Sequence, residues 1–260
     1  MDKNKLTLNI KKSPVDERDF VAETIHSAEG ELPDTLDLRE DLQSIRDQGS
    51  QGTCAAQTSA CMKEWQEKQD FGFDEHMSPQ FIYNNRKNQD SAGMYSRDVM
   101  KILNKIGSVS ETSYPYNTFD TFSDELKEQG RKHVIKGYAA VSTIEGTMRA
   151  LVKNGPCYLA VPVYNYGGRM WKQLQGEQRI GGHAMTIVGY DEFGFIVRNS
   201  WGERWEDGGY TRFPYLDWGL HWEVWTAIDD DSDKPISPAK EKKKFGFFAR
   251  LWKKITDLFS

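Results

Sequence analysis

Hydrophobic and polar positions divide the chain into four regions. Residues 1–31 are mostly polar with little periodicity. They read as an arm lying on the surface, and Leu32-Pro33-Asp34 opens the compact part. From Thr53 to about Lys68 no Gly or Pro follows the Gly52-Thr53 turn and cap, which predicts a helix. Ser78-Pro79 opens a second, with Pro in its first turn and Phe81, Ile82 and Tyr83 after it. Ser96 to Lys105 carries Val99, Ile102, Leu103 and Ile106 on one face and stops at Gly107, a third helix.

The second half changes character. Residues 157–163, 184–190, 194–198, 209–213 and 223–228 are short runs rich in β-branched and aromatic residues, and they predict strands. Asp191-Glu192-Phe193-Gly194 is a hairpin turn candidate. Helices first and antiparallel strands second imply an α+β fold of two lobes with a cleft between them. No internal repeat is present.

Beyond Ile228 the pattern shifts again. Residues 229–244 run acidic, then proline-containing, then basic, and read as a charged linker. In 245–260, Phe248, Leu251, Trp252, Ile255, Leu258 and Phe259 fall at helical spacing, so an amphipathic helix is expected. Such a stripe suits an anionic membrane surface, a protein partner, or the protein's own domain. Sixteen residues at 1.5 Å rise reach about 24 Å, short of a ~30 Å hydrocarbon core.

Composition narrows the function classes. The 260 residues are 38% apolar and include 32 aromatics, ample for a packed core. The formal charge of −5 argues against electrostatic binding of nucleic acid. No apolar run is long enough for a membrane span, and the first residues lack the apolar stretch of a secretory signal. Cys54, Cys61 and Cys157 are too few for a disulfide framework, which sets a reducing, cytoplasmic compartment as the expectation.

The segment Gln48-Gly-Ser-Gln-Gly-Thr-Cys54 carries the most chemistry. It puts a cysteine where a glycine-rich turn meets a helix start, and free amides and the dipole there favour a thiolate. Gln48 has a side-chain amide suited to an oxyanion hole beside the Cys54 N–H. On this segment alone a buried structural cysteine reads equally well. His183 follows Gly181-Gly182 just before a strand, and Asn199 stands just after the next one. Taken singly, one is an ordinary core or surface histidine and the other a turn asparagine. As a set they differ: paired through the Asp191–Gly194 turn, His183 and Asn199 become neighbours. Asn199 would orient the imidazole, and Trp201 would cover their hydrogen bond, a Cys-His-Asn form of the catalytic triad.

These blocks resemble the papain-like cysteine peptidases. Leu36-Asp37-Leu38-Arg39, the Asp47–Cys54 block, Tyr114-Pro115-Tyr116, Gly181–Met185, Asn199-Ser200-Trp201-Gly202 and Trp205–Tyr210 follow the family order over roughly residues 14–228. The Ser13–Phe20 segment is similar to an arm found in the bacterial, archaeal and viral branch. The resemblance implies a helical lobe at about 50–137, a β-rich, barrel-like lobe at about 138–228, and an extended polypeptide substrate in the cleft. It implies a Cys54 thioester with His183 as acid and base, Asn199 and Gln48 in support, and no metal or cofactor. Gly93, Met94, Gly182 and Trp201 would contact substrate. The sequence departs from the family at Ala55 and Gln57, where aromatic residues are usual, at Gly182, and at Met94, where the second glycine of a pair is usual. Two other readings share this chemistry: a catalytically silent relative with a binding or structural role, for example in a virus particle, and a peptide transferase using the same thioester.

Overall fold

The computed structural model describes residues 7–25 and 30–229. The expected linker beyond Asp229 and the expected helix at 245–260 lie outside the described residues.

Helix α1 (Ala22–Ile25), strand β1 (Leu36–Asp37) and a 3₁₀ turn (Arg39–Asp41) precede the longest helix, α2 (Cys54–Phe71). Gly72 ends α2 in the left-handed conformation at φ +68°, three residues beyond the expected end. The next helices are α3 (Pro79–Asn84), capped by the Ser78 hydroxyl, and α4 (Ser96–Lys105). Helix α5 (Asp124–Arg131) is polar and buries only Gly130. Then come β2 (Gly137–Val141), α6 (Ile144–Asn154), β3 (Cys157–Val163), β4 (Gly181–Asp191), β5 (Gly194–Arg198), β6 (Tyr210–Pro214) and β7 (Glu223–Ile228). Strand pairing is antiparallel in the order β2-β7-β3-β4-β5-β6, with β1 added to β4.

The five expected strands are present, with β4 extending three residues earlier, to Gly181. Elements β1, β2, α5 and α6 have no counterpart in the sequence reading. Strand β2, Gly-Tyr-Ala-Ala-Val, is weak in β propensity and exists because β7 pairs with it along its whole length. At Gly189 the β4–β5 register shifts, and β1 lies so close that a Cβ there would meet the Leu36 carbonyl oxygen at 2.3 Å.

The core has two main parts. One lies against the sheet and α6, with Trp171, Tyr190, Phe195, Trp201 and Phe213. The other lies between α2, α4 and strands β3, β4 and β7, with Cys54, Met62, Met77, Val99, Met100, Tyr158 and Trp225. Helix α2 is buried on all sides from Cys54 to Glu67 although it carries Lys63, Glu64 and Glu67. Those charges persist inside because each is paired: Arg46 with Glu64 at 2.7 Å, Lys63 with Glu67 at 2.6 Å and with Asp229, and His133 with Glu67 at 2.7 Å.

The arm is docked along its described length. Ile10 and Ala22 are buried. The Ser13 N–H donates to Glu223 Oε1 at 2.6 Å, and Arg97 Nε to Asp19 Oδ1 at 2.8 Å. Ala140 N–H donates to the Phe20 carbonyl at 2.8 Å. Glu23 Oε1 accepts the Ser142 and Thr143 amides at 2.9 and 2.8 Å.

Candidate active site

The site forms where the turn before α2 meets the ends of β4 and β5. Gln48 N–H donates to the Ser200 carbonyl at 2.9 Å, and Gly202 N–H to that of Arg46 at 2.9 Å. An Asp47–Trp201 bridge joins the same two stretches. Arg198, buried at the end of β5, donates to the Gln43 and Ser44 carbonyls at 2.7 and 2.6 Å and holds the incoming chain. The turn needs its glycines: Gly49 sits at φ +58°, and a Cβ on Gly52 would stand 3.0 Å from Gly93 N.

His183 and Asn199 meet across the β4–β5 hairpin, with Nε2 and Oδ1 2.7 Å apart. The Ser200 N–H donates to the same Oδ1 at 2.8 Å. A backbone N–H can only donate, so the atom facing His183 is the carbonyl oxygen, and Nε2 must carry the proton. Trp201 stacks on the imidazole at 4.4 Å between centroids and 30° between planes, and shields this bond from water. His183 Nδ1 has no hydrogen-bond partner among the described residues, which leaves it to exchange a proton with another group.

Cys54 is the first residue of α2 and is 1% exposed. Gln48, in the turn that leads into α2, is also buried: its Oε1 accepts from Ser200 Oγ at 2.8 Å, and one N–H of its amide donates to the Gln51 carbonyl at 3.0 Å. The second amide proton is uncommitted.

Across this group runs the arm. Ile10 N–H donates to the Gly182 carbonyl at 3.3 Å and Lys11 N–H to that of Met94 at 3.2 Å. Both contacts belong to parallel pairings, Asn9 with Gly182 and Lys11 with Tyr95. Gly93 stands at φ +83°, and a Cβ on it would meet the Asn9 carbonyl oxygen at 1.9 Å. Against Gly182 lie the Trp222 ring and Ile10 Cγ2, within 2.3 and 2.7 Å of the place a Cβ would take. Gly93, Met94 and Gly182 thus line the groove that the arm fills. The sequence reading did not single out Asn9, Ile10, Lys11 or Trp222. The alternation Leu6-Thr7-Leu8-Asn9-Ile10 is a strand signal that marks the arm segment. The Pro14–Phe20 patch begins after the Ser13 link to Glu223 and contains Asp19, which ties the arm to Arg97.

Burial dominates the electrostatics of the site. Burial pushes the Cys54 thiol up to about 11, against backbone hydrogen bonds that include one from Asn9. Burial pushes His183 down to about 4, against the Asn199 bond that favours the imidazolium. In the arm-covered state both groups are therefore neutral near pH 7. The helix start that would favour a thiolate is outweighed by loss of solvent.

The chain belongs to the papain family of cysteine proteases: the family model described as papain family cysteine protease matches residues 32–217. A cysteine protease of Blomia tropicalis is 30% identical over 208 residues, covering 70% of this chain and 61% of the relative. An uncharacterised peptidase C1-like protein of Acanthamoeba polyphaga mimivirus is 27% identical over 197 residues, covering 65% and 63%. The chain spans about half to three fifths of the length of the curated relatives it matches first. The crystal structure of xylellain, a cysteine protease from Xylella fastidiosa, superposes with a TM-score of 0.76 at 24% identity, covering 87% of this chain and 97% of that one. The papain-like α+β fold follows from these matches.

Proposed function

We propose that this protein is a cysteine endopeptidase held latent by its own N-terminal arm. The observation that carries this reading is the His183–Asn199 pair under Trp201, with Nδ1 unpaired among the described residues, and Cys54 at a helix start bonded to the backbone of Ala184, the residue after His183. With the arm displaced and the groove solvated, the burial that keeps Cys54 and His183 neutral is relieved. The proton moves from Cys54 Sγ to His183 Nδ1, and the thiolate attacks the scissile carbonyl carbon. The Cys54 N–H and the free Gln48 amide proton stabilise the oxyanion. His183 returns the proton to the leaving amine. Water, deprotonated by His183, then releases the acid from the Cys54 thioester. Asn199 Oδ1 holds the imidazole in the Nε2–H tautomer throughout.

The substrate class supported is an extended polypeptide, because the groove already holds one in the form of residues 9–11, and Gly93, Met94 and Gly182 meet it through backbone contacts. The decisive experiment is a peptide-library digest by wild type and Cys54→Ala, with labelling by an epoxide peptide inhibitor. Cleavage and labelling lost only in the variant support the peptidase. Labelling without cleavage points to a transferase, tested by adding an amine acceptor. Neither, even with the arm displaced, means a silent family member.

The arm-like Ser13–Phe20 pattern supports placement near the bacterial, archaeal and viral members. Residues 245–260 suit docking on an anionic membrane surface or a protein partner, and a reducing, cytoplasmic or virion-associated setting fits three unpaired cysteines. Co-sedimentation with anionic vesicles, full chain against a 1–239 truncation, separates the two docking modes.

A further inference from the structure

Behind the site, between α2 and the β4–β5 hairpin, lies a small, partly open cavity of about 10 Å³ whose lining includes Arg46, Gln57, Cys61, Glu64, Arg198 and Asn199. Three of these side chains carry a buried polar atom with no partner among the described residues: Arg46 Nη1, Gln57 Oε1 and Asn199 Nδ2. Gln57 and Asn199 are 4% and 3% exposed. The rest of each group is committed. Arg46 Nη2 donates to Glu64 at 2.7 Å and to the Met77 carbonyl at 2.6 Å, and Nε to His76 at 3.1 Å. The Gln57 amide reaches the Tyr116 hydroxyl at its other end. Asn199 Oδ1 is taken by His183 and Ser200.

We propose that this cavity is a binding site for one ordered water, and that Gln57 acts through it as a positioning residue for Asn199. The polarity matches a single water: two N–H groups donate to its oxygen, and one of its protons goes to the Gln57 carbonyl. The volume matches too, since one water needs ~10–15 Å³ of such space and two to four polar partners. The guanidinium and amide protons on its wall repel a cation, and the space excludes any larger anion. Buried donors of this kind are almost always satisfied.

The water gives Asn199 a second tether. Oδ1 is fixed by Ser200, and Nδ2 is fixed by the water, so the amide plane cannot rock away from His183. An aromatic residue at position 57, as the family usually carries, offers no acceptor here. The polar residue and the polar cavity therefore belong together.

That bearing on His183 rests on reading His183–Asn199 as the acid–base pair, whereas the water itself is read without turnover. A crystal structure of the full chain, at a resolution that orders buried waters, should show density bonded to Asn199 Nδ2, Gln57 Oε1 and Arg46 Nη1. Gln57→Met, of similar length and without an acceptor, should lose it, and Gln57→Glu should keep it. By NMR, the His183 imidazole N–H should exchange with solvent about tenfold faster in Gln57→Met, as expected when a buried amide loses a partner. It should stay slow in Gln57→Glu. The Trp171 indole N–H, bonded to Asp217 at 2.9 Å and remote from the cavity, should not change in either. A wild-type cavity without density overturns the water site, whatever the variants do. Density present with equal His183 exchange in wild type and Gln57→Met overturns the positioning role.

Discussion

The two ends of the long buried stretch of α2 handle desolvation in opposite ways. At the start, Cys54 is buried in the core cluster that also holds Ile10, Met94, Ala160 and Ala184, and stays a neutral thiol. Two to four turns further on, Lys63, Glu64 and Glu67 are as deeply buried. There the carboxylates are held below their ordinary values: burial pushes them up, but Arg46 on Glu64, and His133 and Lys63 on Glu67, pull them down further. Burial alone does not decide ionisation; the partner within reach does. Cys54 has no charged partner of this kind: backbone amides at Ala184, Ala55 and Asn9 meet it, and His183 Nδ1, one residue before Ala184, is unpaired among the described residues. The charged end is thus a fixed structural element, and the neutral end is a site whose charge depends on what occupies the groove.

Breaking the charged end has the largest expected effect. Lys63→Met leaves the Glu67 carboxylate, 2% exposed, with a buried charge that His133 only partly offsets. The expected loss is about 3–5 kcal/mol in urea unfolding. Replacing Lys63 and Glu67 by Met and Asp229 by Asn together should lose much less, because the buried cation leaves with both carboxylates that it pairs. Equal losses would show that packing, and not pairing, carries this end.

The neutral end is tested by function. With the arm displaced, Gln48→Ala should lower kcat by about 10²–10³-fold at nearly unchanged KM, the usual cost of one oxyanion donor, about 2.7–4 kcal/mol. Unchanged steady-state kinetics would remove Gln48 from the mechanism. Asn199→Ala should keep the fold and also lower kcat.

Displacing the cover should change Cys54 alone. Ile10→Asp puts a carboxylate into an apolar groove, so alkylation of Cys54 by iodoacetamide should rise about tenfold or more. Cys61 and Cys157, the latter pushed up to about 12 by burial, should stay inert by peptide mapping. In the covered wild type all three should react slowly. Unaltered Cys54 labelling in Ile10→Asp would mean that the arm does not protect the thiol.

Acidification sharpens the comparison with the smallest effect. The covered state holds His183 near 4, below its ordinary 6.5, so the stability that neutral His183 lends this state is withdrawn as pH falls from about 6.5 to 4. Glu23 acts with the same sign at lower pH. Burial raises it, but the Ser142 and Thr143 hydrogen bonds leave it below 4.5, so its contribution is present above that value and lost below it. Hydrogen-exchange protection of the Ile10 and Lys11 amides, corrected for intrinsic rates, should therefore fall between about pH 7 and pH 5. Constant protection would separate arm docking from the state of His183.

Local signals were enough for much of the fold. Strands β3, β5 and β7 have the expected bounds because β-branched runs end at their own turn residues. Helices α3 and α4 are marked by Ser78-Pro79 and by the stripe that Gly107 ends. Helix α5 escaped because Leu126 is its one apolar side chain, too little for a stripe, and β2 because Gly and Ala carry no strand signal of their own. Helix α6 was missed although its Thr143 cap and the Ile144, Met148, Leu151 spacing mark it, because Gly146 interrupts the pattern.

The sequence by itself determined the chemistry-bearing set: Cys54 after a glycine turn, and His183 and Asn199 on either side of a hairpin. Each of those placements depends on turns and strands specified within a few residues. Tertiary structure alone decided that α2 is buried on every side, that residues 9–11 lie in the groove, and that Gln57 and Asn199 line one cavity. Desolvation and pairing are set by groups far apart in the chain, and no local pattern encodes which of them will meet.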